Sequence, residues 1–151
     1  MAFIPLTEDQ WVFWQKMYKE FGSEKIDEVY AIYEANEWES YLNDKERLKK
    51  AFEKSSYVLG AFDEGKLVGF VRCIGDEEYI VYVQDLIVLP EHRRQGIGRR
   101  LMEEVLKRYE KVRQFVLITD EDDEVSNAFY KAIGLSDTCN GYPVNHYFRG
   151  N

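Results

Sequence analysis

Residues 81–100 read VYVQDLIVLPEHRRQGIGRR and fall into three pieces. Val81 to Val88 is a nearly unbroken apolar, β-branched run, the pattern of a strand covered on both faces. Pro90 has no N–H to give a neighbouring strand and ends the pairing. From Gly96 a helix begins, with Ile97, Leu101, Val105 and Tyr109 along one stripe and Arg99, Arg100, Glu103, Glu104, Lys107 and Arg108 elsewhere. The joint between strand and helix is Arg93-Arg94-Gln95-Gly96-Ile97-Gly98. Its two glycines remove Cβ atoms where a ligand needs to approach the backbone. The free N–H groups of the helix start, together with two arginines, make a site for a phosphorylated ligand.

Two common phosphate motifs do not fit this joint. A P-loop needs Lys-Ser or Lys-Thr after its glycines, and none follows here. A dinucleotide fingerprint needs a third small residue three positions after Gly98, where Leu101 stands. Arg93-x-x-Gly96-x-Gly98, after a strand ending Val88-Leu89-Pro90, is instead similar to the acyl-CoA-binding signature of the GNAT family of N-acetyltransferases. A Gly-rich turn with solvated arginines is the competing reading.

A chain of 151 residues is expected to form one domain, residues 1–151, with a core large enough to need no staples. A formal charge of −8 argues against nucleic-acid binding; it serves solubility and also suits a cationic substrate. Cys73 and Cys139 make no metal spacing and no disulfide framework, so two free thiols in a reducing cytoplasm are expected. No stretch approaches the roughly 18 apolar residues of a membrane span. The start, MAFIPLTEDQ, lacks the regions of a signal peptide.

Along the chain, Thr7-Glu8-Asp9-Gln10 has the form of a capping box before Trp11, Trp14, Met17, Tyr18 and Phe21 at helical spacing. Ser23 suits the cap of a second helix carrying Ile26, Val29, Tyr30 and Tyr33, and Asp44 that of a third with Leu48, Ala51 and Phe52. This helical segment, about residues 7–55, lies on the substrate side of the expected domain. Within it Glu34, Glu37, Trp38, Glu39 and Tyr41 mix acids with aromatics, which can hold an ammonium group by charge and cation–π contact. A solvated helix end is the plainer reading of the same residues. Tyr57 to Phe62 and Lys66 to Ile74 read as strands joined at Asp63-Glu64-Gly65, and a second turn at Gly75 to Glu78 leads into the central strand. Gln114 to Thr119 is a strand parallel to its predecessor, because a helix intervenes. A last helix carries Val125, Ala128, Phe129, Ala132 and Ile133 on one face and stops at Gly134, before extended stretches at Leu135 to Cys139 and Val144 to Arg149. The fold class is α+β, a mostly antiparallel twisted sheet with one splayed parallel step at its middle, flanked by helices. That order resembles the GNAT fold from Tyr57 to Arg149, and Ala2 to Leu6 is the candidate for the family's first strand.

The run Ser126 to Leu135, SNAFYKAIGL, is a second point of resemblance, close to the N-x-x-[FY]-Y-x-x-x-G-[FL] stretch of GNAT enzymes. Asn127 and Tyr130 sit three apart and share one side of their helix. The resemblance implies acetyl transfer from acetyl-CoA, as co-substrate, to an amine. By it, Arg93, Arg94, Gln95, Gly96, Ile97, Gly98 and Arg99 take the pyrophosphate, and Asn127 bonds the pantetheine region. The backbone of Leu86, Ile87 and Val88 pairs with pantetheine and offers the N–H that the reacting carbonyl oxygen requires. Tyr130 gives the leaving thiolate its proton.

An alkylamine with pKa near 10.4 is mostly protonated at pH 7, and freeing it costs roughly 4 to 5 kcal/mol. Asp85, an acid in the middle of an apolar strand, is a candidate base. Tyr82 stands where some family members carry a catalytic glutamate, and water-relayed deprotonation stays open. His92 is expected to face solvent. His146 is a candidate for a pocket wall, a structural role being the plainer reading for both histidines. Cys139 has no base placed beside it, and no metal site is expected.

The favoured function is therefore acetylation of a small primary amine: a polyamine, amino sugar, aminoglycoside, amino acid or arylalkylamine. Acetylation of a protein N-terminus or lysine is the second reading, and a non-catalytic CoA-binding module the third. A homodimer, formed through a C-terminal edge strand or by strand exchange, is the expected assembly, a monomer being the main alternative, with no nucleic-acid or membrane partner.

Overall fold

The computed structural model describes residues 1–6, 25–137, 145, 147 and 149. The helix expected from Thr7 to Phe21, the Ser23 cap, His146, Cys139 and part of the last extended stretches lie outside them. The chain divides into two compact units, Met1–Ile118 and Thr119–Asn151.

The first unit holds a five-stranded sheet in the order β1-β2-β3-β4-β5. Its strands are β1 (Ala2–Pro5), β2 (Tyr57–Asp63), β3 (Lys66–Gly75), β4 (Ile80–Val88) and β5 (Gln114–Leu117). β1 to β4 pair antiparallel, and β4 with β5 is the parallel step. Ala2 to Pro5 thus forms the first strand, against Leu59 to Phe62. Glu64 and Gly65, both with positive φ (+48° and +81°), make the two-residue turn between β2 and β3, the primed type that follows strand twist. Gly69 has no room for a Cβ, which would stand 2.9 Å from the Ile87 carbonyl oxygen. Its absence lets β4 lie close against β3.

One residue reorganises β4. Arg72 opposes Asp85, yet the next residue, Cys73, opposes Val83, so Gln84 is an extra residue in a β-bulge. Arg72 and Cys73 point to opposite faces, so their partners Asp85 and Val83 do too. Val81 and Val83 are therefore buried on one face, Asp85 and Ile87 on the other, and Gln84 is exposed between them. This corrects the expectation of a strand covered on both faces: Tyr82, Leu86 and Val88 are only half-buried. The strands with nearly every side chain buried are β2 and β3.

Helix α1 (Lys25–Ala35) lies over the Phe70–Asp85 face, where Tyr33 meets Phe70 edge-on at 5.4 Å. Helix α2 (Lys45–Glu53) is capped by Asp44, whose side chain accepts from the Arg47 N–H, and buries Leu48 and Phe52. Helix α3 (Ile97–Arg108) packs against β2, β3 and β4 and buries Ile97, Leu101, Met102 and Val105. Tyr109, just past its end, meets Tyr57 edge-on, which puts α3 over the opposite face from α1. In the second unit, helix α4 (Glu124–Ala132) is capped by Asp123 and ended at Gly134. The apolar face expected on it is not buried: Val125 is 82% exposed, and Ala128 and Ala132 are exposed as well.

Candidate active site

β5 pairs with β4 only from Ile80 to Val83. From Gln84 to Val88, β4 is paired with β3 alone among the described residues, so alternate N–H and C=O groups along its other edge have no strand partner. Because Leu89 N–H bonds across to Val68, Ile87 likewise turns its backbone groups toward β3. Of the three residues expected here, Leu86 and Val88 face this edge, and the Val88 carbonyl accepts from Asn36 Nδ2 at 3.3 Å. Leu89 N–H carries the ladder one step further, to the Val68 carbonyl, before Pro90–His92 turns the chain away in one turn of 3-10 helix.

The loop that follows changes hand twice. Arg94 has φ +60° and Gly96, the residue before α3, has φ +79°. Turns of this kind bring successive N–H groups together into an anion-binding concavity. The first α3 bond runs from Arg100 N–H to the Gly96 carbonyl. The N–H groups of Ile97, Gly98 and Arg99 are therefore left without helical partners. A Cβ on either Gly96 or Gly98 would meet nothing within 4 Å, so the ground above both is open. A shallow cavity of about 360 Å³ borders Gly96, lined also by Met1, Phe3, Gln95, Ile97, Arg99, Arg100 and Glu103.

The arginines divide between two tasks. Arg93 donates to the Asn36 side-chain oxygen, while Asn36 Nδ2 donates to the carbonyls of Ile32 (2.8 Å) and Val88 (3.3 Å). Its guanidinium thus ties the loop to the end of α1, which differs from the pyrophosphate role expected for it. Arg94 forms no ion pair among the described residues, and Arg99 stands 3.8 Å from Glu103 in an exposed pair of little strength. His92 turns from solvent toward Asp63, with Nε2 at 3.6 Å and a buried Nδ1 that has no partner among the described residues.

Asp85 is 2% exposed, and both its oxygens are taken. Oδ2 accepts from Arg72 Nε at 2.6 Å and from the Tyr33 hydroxyl at 2.8 Å; Oδ1 accepts from the Tyr41 hydroxyl at 2.7 Å. Gln84 Nε2 donates to the Tyr41 oxygen at 3.1 Å, and Arg72 reaches Ser55 Oγ. Burial, and after it the Asp85 charge, hold the Tyr33 and Tyr41 phenols above the ordinary tyrosine value, so both stay donors. Both oxygens of Asp85 are thus engaged within the protein. Beside the role of base expected for it, this carboxylate fixes two tyrosines and an arginine.

In the second unit, Asn127 Nδ2 donates to the carbonyls of Asp120 and Asp123, each at 2.8 Å, bracing the loop before α4. Only its side-chain oxygen remains for a ligand. Tyr130 is half-buried with Phe129 edge-on at 5.2 Å. Burial, then the Asp123 carboxylate, raise its phenol above the ordinary value and keep its proton in place.

Sequence reasoning passed over Tyr33, Asn36, Arg72 and Gln84. Arg72 had a signal: it is the one charge after Lys66 in Lys66–Gly75, the strand beside the one where Asp85 is a lone charge. No pattern pointed to Asn36. Cys73 is buried, and burial together with the Glu77 charge pushes its thiol up to about 12, so it is no nucleophile at neutral pH. No group of three or more metal-binding side chains occurs among the described residues.

Comparison with known proteins gives concordant matches. A family model, Acetyltransferase (GNAT) family, matches residues 13–135. An acetyltransferase of the GNAT family from Streptococcus pneumoniae TIGR4 superposes with a TM-score of 0.72 at 33% identity, over 83% of this chain and 90% of that one. An uncharacterized N-acetyltransferase of Gracilaria tenuistipitata var. liui is 30% identical over 59% of this chain, which spans 50% of that protein's length. An aminoglycoside acetyltransferase from an uncultured soil metagenomic sample, in complex with sisomicin, shares the fold at 22% identity, with a TM-score of 0.69 over 99% of this chain and 95% of that one.

Proposed function

Because the chain belongs to the acetyltransferase (GNAT) family, we propose that it moves an acetyl group from acetyl-CoA to a primary amine of a small molecule, by direct attack with both bound. One observation carries this reading. β4 has a free edge from Gln84 to Val88, and the chain runs from there straight into a helix start with open space above two glycines. An extended amide chain pairs with such an edge as an added strand does, and a pyrophosphate suits the helix start. These residues therefore fit acetyl-CoA, which when bound supplies the acetyl group and a thiolate leaving group.

The chain's own residues have the following tasks in this reading. The backbone groups of Leu86 and Val88 hold pantetheine, with Ile87 between them, and a Leu86 or Val88 N–H faces the reacting carbonyl oxygen. Gln95 to Arg99 take the pyrophosphate, with Arg94 as the exposed cation beside them and Arg93 acting through its backbone. The Asn127 side-chain oxygen accepts from a pantetheine amide, and Tyr130 donates its proton to the departing thiolate. The amine loses its proton to water rather than to Asp85. A cytoplasmic homodimer completes the reading. No helix among the described residues is long and apolar enough to cross a membrane, and light scattering at high micromolar concentration checks the dimer.

The test is release of CoA from acetyl-CoA across a panel of diamines, amino sugars, amino acids, arylalkylamines and a lysine-bearing peptide. At least one small amine is expected to raise release above slow hydrolysis. Stimulation by the peptide alone would replace this reading with protein acetylation. A panel without stimulation, with acetyl-CoA still bound, would leave a CoA-binding module.

A further inference from the structure

α1 ends in a way that its residues do not favour. Trp38 N–H donates to the Tyr33 carbonyl and Glu37 N–H to the Glu34 carbonyl, both at 3.0 Å, the two bonds of a Schellman end. Such an end needs one left-handed residue, here Glu37 with φ +60°, where glycine fits without strain. A glutamate kept at this position puts a carboxylate next to Trp38 at a cost in stability. Strain of that kind collects where a site needs it.

Beyond Glu37 the chain stacks three rings. Tyr33, fully buried, lies under Tyr41 with centroids 4.3 Å apart and planes 15° apart. Trp38 stacks beside Tyr41 at 6.3 Å and 28°. Tyr41 is fixed through its hydroxyl by Asp85 and Gln84, and the Tyr30 hydroxyl holds the Leu42 carbonyl at 2.9 Å, closing the segment. The stack is thus tied to β4 at the bulge where the free edge begins. Trp38, its outer member, is 36% exposed. Glu34, Glu37 and Glu39, its near neighbours in the chain, are exposed and form no ion pair among the described residues. Beneath the stack, Asp85 neutralises Arg72.

An aromatic face among unpaired carboxylates attracts a cation. The nitrogen that is acetylated must be neutral when it attacks, so it is not the group held there. We propose that Trp38, backed by Tyr41 and Tyr33 and flanked by Glu34, Glu37 and Glu39, binds a second ammonium group of the acceptor, which is therefore a small polycation with two or more amino groups. The word acceptor rests on the acetyl-transfer reading above; the cation site does not.

Calorimetric titration of the full chain, without acetyl-CoA, separates the two. The probes are α,ω-diaminoalkanes of four to eight carbons, the monoamines of the same lengths, and tetramethylammonium, which cannot be acetylated. The best diamine is expected to bind at least tenfold more tightly than its monoamine, and tetramethylammonium to compete with it. Trp38→Leu should bring the ratio close to one. Glu37→Gly should lower diamine affinity several-fold while raising the melting temperature, an outcome that loss of folding cannot imitate. Equal binding of diamine and monoamine, a ratio that survives Trp38→Leu, or no binding by any probe in the millimolar range would each overturn the proposal. CoA release without diamine preference would remove the cation site alone. Diamine preference without CoA release would remove acetyl transfer alone.

Discussion

Three donors converge on a carboxylate at 2% exposure, and that is how Asp85 keeps its charge away from water. The arrangement binds the partners to one another: Arg72, also buried, has Asp85 as its counter-charge. Asp85→Asn keeps the shape and removes the charge, leaving a guanidinium uncompensated in the core. The expected loss is about 3–5 kcal/mol of unfolding free energy in a urea titration. A loss under about 1 kcal/mol would mean that water already reaches Arg72. Tyr130 offers the opposite experiment, because its proposed contribution is one proton. Tyr130→Phe should lower kcat roughly tenfold to a thousandfold and hardly change acetyl-CoA affinity, since the lost contact is made mainly in the transition state. Normal kcat with weakened acetyl-CoA binding would make Tyr130 a binding residue instead.

At the scale of elements, the two glycines of the loop before α3 differ in what a substitution tests. Gly96 has φ +79°, so any side chain there strains the backbone before a ligand is considered. Gly98 has open space around its missing Cβ and lies inside α3. Gly98→Ala should therefore leave stability unchanged or raise it by up to about 1 kcal/mol. It should nevertheless weaken acetyl-CoA binding at least tenfold in calorimetry, because the added methyl occupies the phosphate's approach. Unchanged affinity would take the pyrophosphate away from this loop. The same distinction shows what could be read from sequence. The hairpin at Glu64-Gly65, the strand–loop–helix step and the end of α4 at Gly134 were legible because Gly and Pro mark backbone needs that other residues do not share. The end of α1 makes the same two bonds as the end of α4, but with glutamate in the left-handed position, and no sequence rule marks that. The bulge at Gln84 was hidden for a related reason. An unbroken apolar run reads alike in either register, and only pairing against β3 shows that Asp85 faces away from Val83. Asp85 was therefore conspicuous by sequence, while its partners Tyr33 and Tyr41, 52 and 44 residues away, were not.

Among the described residues, the thiol and the phenols with raised values share a cause and a sign. Cys73, Tyr33, Tyr41, Tyr57, Tyr82, Tyr109 and Tyr130 all lie above their ordinary values, and burial is the first cause for each. Each is an acid that is neutral when protonated, so the folded chain binds its proton more tightly than the unfolded chain does. Below the unfolded values, both states are protonated and the groups add no pH dependence. Above them the unfolded chain ionises first, and stability falls until the folded value is passed. For Cys73 that window runs from about 9, the ordinary thiol value, up to about 12. The tyrosines join from about 10. A fully buried group within its window lowers stability by up to about 1.4 kcal/mol per pH unit, and the half-exposed Tyr82 by less. The chain already carries −8 at pH 7, so loss of lysine charge adds self-repulsion in the same direction. Melting temperature should thus be nearly level from pH 7 to about 9 and then fall, more steeply above 10. Cys73→Ala should melt lower at every pH, because it leaves a small void, but with a shallower decline between pH 9 and 10. A melting temperature that stays level through pH 11 would mean that these side chains reach solvent in the folded protein.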